Sequence, residues 1–154
     1  MNENNARAIE TPDSDSRLML DLLQGFYWFD EGLQNYLRSR GWPVVTRPQS
    51  MVMANVVSGC VRPSDIARRL GISRQAIHNT LKSMIDLDMI ALVDDPASRR
   101  AKIVSLTPNG EQMRKDAQAA IQLMRKALSE RLGAARLAQL GEILERDWGP
   151  PLDF

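Results

Sequence analysis

Apolar side chains recur at spacings of three and four residues from Arg17 onward. Such spacings place them on one face of a long helix, which Gly41 and Pro43 end. This face consists of Leu18, Leu22, Phe26, Phe29, Leu33 and Leu37. The residues before it, 1–16, are polar and cannot bury enough surface to offset the entropy of ordering. We expect them to form a flexible arm.

Two more helices and a tight turn are predicted in the middle of the chain. An apolar stretch at residues 49–58 favours a short buried helix, although its β-branched side chains weaken the helical preference. Pro63 stands at a first helical position, and Gly71 supplies the turn after that helix. Ser73 is a good N-cap for the next helix, which the pattern extends to about Ile90. This is a helix-turn-helix.

A short polar hairpin is predicted directly after the helix pair. Residues 91–93 and 102–106 favour two strands, and the turn-rich segment 94–100 joins them. This segment carries Arg99 and Arg100. A basic hairpin, or wing, therefore accompanies the helix-turn-helix.

Two helices are predicted in the last third of the chain. Thr107 and Pro108 form a cap-then-proline start for a long helix that Gly133 breaks. A last helix carries Leu137, Leu140, Leu144 and Trp148. The apolar stripes of the long terminal helices need a surface to pack on, and a second copy of the chain is the simplest candidate. We therefore expect a homodimer.

Together these elements predict a mainly α fold with a small β wing, in one compact domain. The flexible arm is residues 1–16, and the N-terminal helices, part of the dimer interface, are residues 17–61. The winged helix-turn-helix is residues 62–106, and the C-terminal dimerisation helices are residues 107–154.

The helix after Ser73 has two contrasting faces. Its apolar residues share one stripe, and long or planar hydrogen-bonding side chains form the other: Arg74, Gln75, His78, Asn79 and Lys82. Arginine recognises guanine edges, Gln and Asn recognise adenine, and lysine contacts phosphate. Most polar stripes are simply solvated. This one lacks glutamate and follows a short helix-turn-helix turn, so we expect it to contact DNA in the major groove.

The distribution of charge indicates the same region of the chain as the DNA-binding part. The net charge is only +1, but residues 62–102 carry eight basic residues against five acidic ones. Two adjacent arginines in the wing, Arg99 and Arg100, suit a narrow minor groove. Alternatively, one of them pairs with Asp94 or Asp95. We expect one to anchor the hairpin and the other to contact DNA, with Arg100 favoured for that contact.

Other classes of protein fit less well. No long apolar run or export signal is present, and the single cysteine, Cys60, cannot form an intramolecular disulfide, which favours a cytoplasmic location. With a single histidine, His78, no zinc cage of nitrogen and sulfur ligands is available, and we expect neither metal nor cofactor. The sequence has no phosphate-binding loop, no paired carboxylates and no nucleophile with its base. Nothing in it therefore indicates an enzyme.

Three segments in this order resemble the multiple-antibiotic-resistance regulator (MarR) family: residues 62–78, 95–100 and 104–110. Element by element, the resemblance covers about residues 17–148. It implies a triangular dimer in which each subunit presents one winged helix to half of a pseudo-palindromic operator. It also implies a repressor that is released by a small aromatic ligand or by thiol oxidation.

The sequence departs from the family pattern at two positions. Ser98 stands where the wing commonly has an aspartate that orients a neighbouring arginine, and Arg62 stands where a helix-opening threonine is frequent. Arg62 adds a phosphate contact on physical grounds, and Ser64, near the start of its helix, is a further candidate, as is the cap residue Ser73.

Control by a ligand or by oxidation is less defined. The resemblance implies a ligand crevice between the dimer helices and the DNA-binding unit, where we expect Trp28, Trp42 or Arg47 to line it. Cys60 follows an apolar run, which favours a buried, inert thiol over a redox switch. Because the charge is low and Ser98 breaks the wing pattern, a protein-interaction module without DNA binding is the main alternative.

Overall fold

The computed structural model of the protein describes residues 14–153, apart from the side chains of residues 14–16 and 99. Six helices and a two-stranded sheet follow one another in this part of the chain: α1 (Ser14–Ser39), α2 (Arg47–Val57), α3 (Pro63–Leu70), α4 (Arg74–Asp86), β1 (Ile90–Asp95), β2 (Ser98–Leu106), α5 (Pro108–Leu132) and α6 (Ala134–Leu144). The mainly α fold with a small β wing is confirmed. Of the expected arm at 1–16, residues 1–13 lie outside the described residues, and α1 already begins at Ser14.

Helix α2 begins at Arg47, two residues before the predicted start. Thr46 forms a capping box, in which its backbone N–H donates to Oε1 of Gln49 at 2.8 Å. Pro48 in the first turn does not interrupt the helix, because the N–H groups of that turn have no intrahelical acceptor. Thr107 is followed directly by Pro108, whereas here one residue separates the cap Thr46 from Pro48.

Helix α4 ends at Asp86, and the predicted extension to Ile90 is wrong. Leu87 is its C-cap, and Asp88 adopts a left-handed conformation with φ 53°. The N–H of Asp88 donates to the Ile85 carbonyl and that of Met89 to the Met84 carbonyl, the two bonds of a Schellman motif. Ile90 begins β1 instead. The apolar pattern continued because Met89 and Ile90 are both buried.

The wing is longer and tighter than predicted. Only Pro96 and Ala97 separate the strands, so Arg99 and Arg100 belong to β2 rather than to a loop. Asp95 explains the tight turn, because its Oδ1 accepts a hydrogen bond from the Ala97 N–H at 2.8 Å. The Val104 N–H also donates to the Val61 carbonyl at 2.8 Å, which ties β2 to the segment before α3.

One apolar core joins the helix-turn-helix to the long helices. Its most buried side chains include Val52, Ile66, Met84, Met89, Ile90 and Val104. Leu37 of α1 and Met113 of α5 belong to the same cluster, so the winged unit and the first turns of α5 share packing. Helix α1 also packs along α5, and a Cβ at Gly32 would overlap the Met124 sulfur.

The start of α5 is fastened to the end of α4. The Thr107 hydroxyl accepts from the Gly110 N–H at 2.9 Å and donates to the Asp88 carbonyl. The Thr107 N–H donates to the Met89 carbonyl at 3.2 Å. We call Asp88, Met89, Thr107 and Gly110 the α4–α5 joint. It links the start of the long helix α5 to the end of helix α4.

The last helix, α6, ends at Leu144, so Trp148 lies beyond it and not on it as predicted. None of its residues is buried, and the apolar side chains of Leu140, Ile143 and Leu144 are exposed. Among the helices that the structure describes, none is long and apolar enough to cross a membrane.

Candidate nucleic-acid interface

Helix α4 presents one buried and one exposed face. Ile77, Leu81 and Met84 lie in the core, which fixes the rotation of the helix. All five residues of the predicted polar stripe are exposed: Arg74, Gln75, His78, Asn79 and Lys82. Ser73 caps the helix, since its hydroxyl accepts from the Ala76 N–H at 3.1 Å. A rigid helix therefore holds these side chains toward solvent.

The side chains of this stripe make few polar contacts with the rest of the described protein. Gln75 Nε2 donates to Asn79 Oδ1 at 2.9 Å, which leaves the outward edges of both amides open. Within residues 14–153, no hydrogen bond or ion pair engages the side chains of Arg74, His78 or Lys82. The only acidic residue of α4 is Asp86, at its far end. Donors for base edges and phosphate thus line one side of the helix.

Arg62 connects the wing to the start of α3. Its guanidinium contacts Oδ2 of Asp95 through Nε at 2.8 Å and through the terminal nitrogen at 2.7 Å. The Ala97 N–H, and after it Arg62, hold the pKa of Asp95 below its ordinary value, because both stabilise the charged carboxylate. The Asp95 side chain is buried, whereas that of Arg62 is half exposed.

The wing is anchored by a different arginine from the ones that the sequence predicted. We expected Arg99 or Arg100 to hold Asp94 or Asp95. In the structure, Asp95 pairs with Arg62, and Asp94 pairs with Lys102 at 2.7 Å. Arg100 is exposed on β2. Nothing in the sequence marked Arg62 as the anchor, because it lies 33 residues from Asp95 along the chain.

Ser64, in the first turn of α3, is exposed on the same part of the molecule as Arg68 and Arg69. Arg68 pairs with Asp65 at 2.7 Å. The helix-turn-helix and the wing together therefore form a surface that is rich in cationic and amide side chains. Such a surface fits the phosphates and base edges of duplex DNA.

Comparison with known proteins agrees with this geometry. Residues 45–101, which span α2 to the wing, match the model of the MarR family. Over this segment, the chain is similar to members of that family. No curated protein sequence matches the chain.

Solved structures share the fold of this protein over most of the chain. The reduced form of MarR from E. coli is 21% identical with a TM-score of 0.65, covering 89% of this chain and 97% of its own. RV1404 from Mycobacterium tuberculosis is 16% identical with a TM-score of 0.64, covering 89% and 94%. The transcriptional regulator Tm0710 from Thermotoga maritima is 18% identical with a TM-score of 0.59, covering 84% and 90%.

The match over residues 45–101 confirms the resemblance to the MarR family that the sequence indicated. At these identities the structures show the common fold. The roles of individual residues therefore rest on the geometry of this chain.

The residues predicted to line an effector crevice are not brought together. Trp42 Nε1 donates to Oδ2 of Asp116 on α5 at 2.7 Å, and Trp28 packs edge-to-face on Phe29. Arg47 contacts Asp30 at 3.0 Å and lies 4.4 Å from the Tyr27 ring centre. None of Trp28, Trp42 and Arg47 lines either of the two cavities described next.

The larger cavity, about 470 Å³, lies between α1, α2 and α5. Its floor is apolar, with Leu37, Val45, Met53 and Met113 among its residues, and Arg114, Gln118 and Arg125 also line it. Arg114 is held by Glu111 at 2.7 Å, and this hydrogen bonding lowers the pKa of Glu111. Sequence reasoning missed this site because the lining residues come from three helices far apart along the chain.

Cys60 follows α2 and is half-buried. It packs against the edge of the core cluster. The sequence predicted a buried, inert thiol, whereas the structure leaves Cys60 partly exposed.

Proposed function

We propose that the protein is a homodimeric, sequence-specific DNA-binding transcription regulator that inserts α4 into the major groove. The observation that carries this proposal is the exposed stripe of α4, from Arg74 to Lys82, on a helix whose other face packs into the core through Ile77, Leu81 and Met84. Arg74 and Asn79 are assigned to base edges, while Ser64, Lys82 and Arg100 are assigned to phosphates or the minor groove. Arg62 places the wing and supplies charge nearby.

A dimer is supported by uncovered apolar surface on the terminal helices. Leu18 and Met19 of α1 are 64% and 72% exposed, and α6 buries none of its side chains. Large apolar side chains left exposed in such number mark an interface. A second copy of the chain is the proposed partner, because two winged helices related by a twofold axis match the two halves of a pseudo-palindromic operator.

Repression released by a small ligand is the proposed mode of control. The cavity between α1, α2 and α5 has the size and apolar lining of a ligand site, and Arg114 and Arg125 suit an aromatic anion. A ligand there would alter the packing of α5, which the α4–α5 joint connects to α4. A role on chromosomal DNA agrees with the expected cytoplasmic location.

The test is selection of binding sites from a random duplex library, followed by fluorescence anisotropy at several salt concentrations. We expect a pseudo-palindromic site and an affinity that falls steeply with salt. Asn79→Ala is expected to relax base preference by about 1–3 kcal/mol at one position of each half-site. Arg100→Ala is expected to weaken all sequences evenly and to lower the salt slope by about 1.

Arg38→Ala is the matched control, because Arg38 is exposed in the last turn of α1, outside the winged unit and at the end of α1 opposite Leu18 and Met19. It is expected to bind as the parent does. Absence of any salt-sensitive binding to duplex DNA would instead support the protein-interaction module. Unchanged site selection by both α4 and wing variants would refute the assignment of this face.

A further inference from the structure

A second, smaller cavity of about 360 Å³ lies beside the first and has different chemistry. Its lining comes from α1, α2, α5 and the last residue of α3, Leu70. Most of the wall is apolar and includes two aromatic rings, Phe26 and Phe29. The polar residues of the wall are Asp30, Ser50 and Asn55.

Asp30 stands out among these three. It is 8% exposed, and its Oδ2 accepts a hydrogen bond from Arg47 Nε at 3.0 Å. Its Oδ1 is buried and, within residues 14–153, has no hydrogen-bond partner. A buried acceptor without a partner is costly, and the cost is larger when the acceptor is charged.

The neighbouring polar groups have partners elsewhere. Ser50 Oγ accepts from Gln34 Nε2 at 2.9 Å, and Asn55 Nδ2 donates to the Met51 carbonyl at 2.9 Å. Arg47, the counter-ion of Asp30, is half exposed and stacks on Tyr27, so much of its charge faces solvent, where it is screened. The carboxylate therefore keeps negative potential toward the cavity.

From this we infer that the second cavity binds an organic cation, a protonated amine on an apolar or aromatic body. The ammonium N–H would donate to the Asp30 carboxylate, and the rings of Phe26 and Phe29 favour a nearby cation. The same carboxylate repels an aromatic anion, so this ligand class differs from that proposed for the larger cavity. Leu70 ends α3, so an occupant here touches the helix-turn-helix itself. Any effect of this occupant on DNA binding rests on the proposed function, whereas the binding of the cation itself does not.

Calorimetry on the full chain with three probes of similar size tests the inference: 2-phenylethylammonium, 2-phenylethanol and 3-phenylpropionate. We expect the ammonium to bind, the alcohol to bind more weakly and the carboxylate to bind this cavity least. Asp30→Asn is expected to weaken ammonium binding by on the order of 10-fold to 100-fold. Asp21→Asn removes the same charge from an exposed position of α1 and is expected to leave binding unchanged.

Two further variants keep the test decisive if Asp30→Asn does not fold. Arg47→Gln removes the competing counter-ion and is expected to tighten ammonium binding. Met51→Trp adds bulk at a residue that lines this cavity and not the larger one, and it is expected to abolish ammonium binding. Ammonium binding no tighter than that of the alcohol, or ammonium binding that survives both Asp30→Asn and Met51→Trp, would overturn the inference.

Binding and DNA release are measured separately. Asp30-dependent ammonium binding by a chain that does not bind DNA would uphold this inference and refute the proposed function. Operator binding without any ammonium binding would do the reverse.

Discussion

Replacing Gly110 with alanine tests the α4–α5 joint most directly. Gly110 is buried in the first turn of α5, and an added Cβ would lie 2.8 Å from the Met89 carbonyl carbon and still closer to its oxygen. Met89 is fully buried, so the surrounding side chains prevent it from moving away from the added Cβ. The chain must therefore shift α5 away from the end of α4.

The expected loss of stability follows from what that shift breaks. Two hydrogen bonds of the joint, from the Thr107 N–H and from its hydroxyl, are worth about 1 kcal/mol each. Overpacking a well-packed core costs about 1–3 kcal/mol more. The higher helical preference of alanine than of glycine offsets up to about 1 kcal/mol of this loss. We expect a net loss of about 2–4 kcal/mol, and for a chain of this size a fall in Tm of roughly 5–15 °C.

Thermal unfolding followed by circular dichroism measures this loss, at one protein concentration because a dimer's Tm depends on it. Gly141→Ala in α6 is the matched control. Its added Cβ meets nothing within 4 Å, so the same substitution should raise stability slightly. A Tm for Gly110→Ala at or above that of the parent would refute the reasoning. The variant should also lose operator affinity, because α4 is displaced relative to α5.

Three other predictions follow from particular contacts. Thr107→Ala should lower the free energy of unfolding by about 1–2 kcal/mol in urea denaturation, because α5 loses its N-cap; no change would contradict the role of the hydroxyl. The folded-state pKa of Asp95 lies below its ordinary value of 3.8, so its stabilisation is present above that pH and is lost as the pH falls through the lowered pKa. Asp95→Asn should therefore lose less stability than the parent on acidification below pH 3.8, as measured by urea denaturation at each pH; equal slopes would contradict this. Ile143→Glu places a charge on the exposed apolar face of α6 and should shift the proposed dimer toward monomer in sedimentation velocity, whereas Glu142→Gln should not.

Local patterns along the chain predicted the order and type of nearly every element. The spacing of apolar residues indicated α1, and the cap at Thr107 and the cap at Ser73 marked the starts of α5 and α4. These signals work from sequence because each depends on residues within one or two turns of each other. The exposed stripe of α4 was predictable for the same reason, since one helical period places Arg74 and His78 on one side.

The end of α4 was not predictable in this way. Apolar residues continue through Met89 and Ile90, and no glycine marks the left-handed position, which Asp88 occupies. Burial of Met89 and Ile90 against the core, together with the hydrogen bonds of Thr107, decides that the chain turns there. That choice depends on α5, which follows later in the chain.

The sites that depend on long-range contacts were decided only by the tertiary structure. Arg62 meets Asp95, and Asp30 meets Arg47 beside a cavity, because helices distant in sequence pack together. Periodicity reports which face of a helix is apolar, but not which neighbour covers it or what space remains between them. By itself, the sequence determined the helix-turn-helix, the wing and the stripe of α4. Packing determined how the wing is anchored, where the cavities lie and which carboxylate faces one of them.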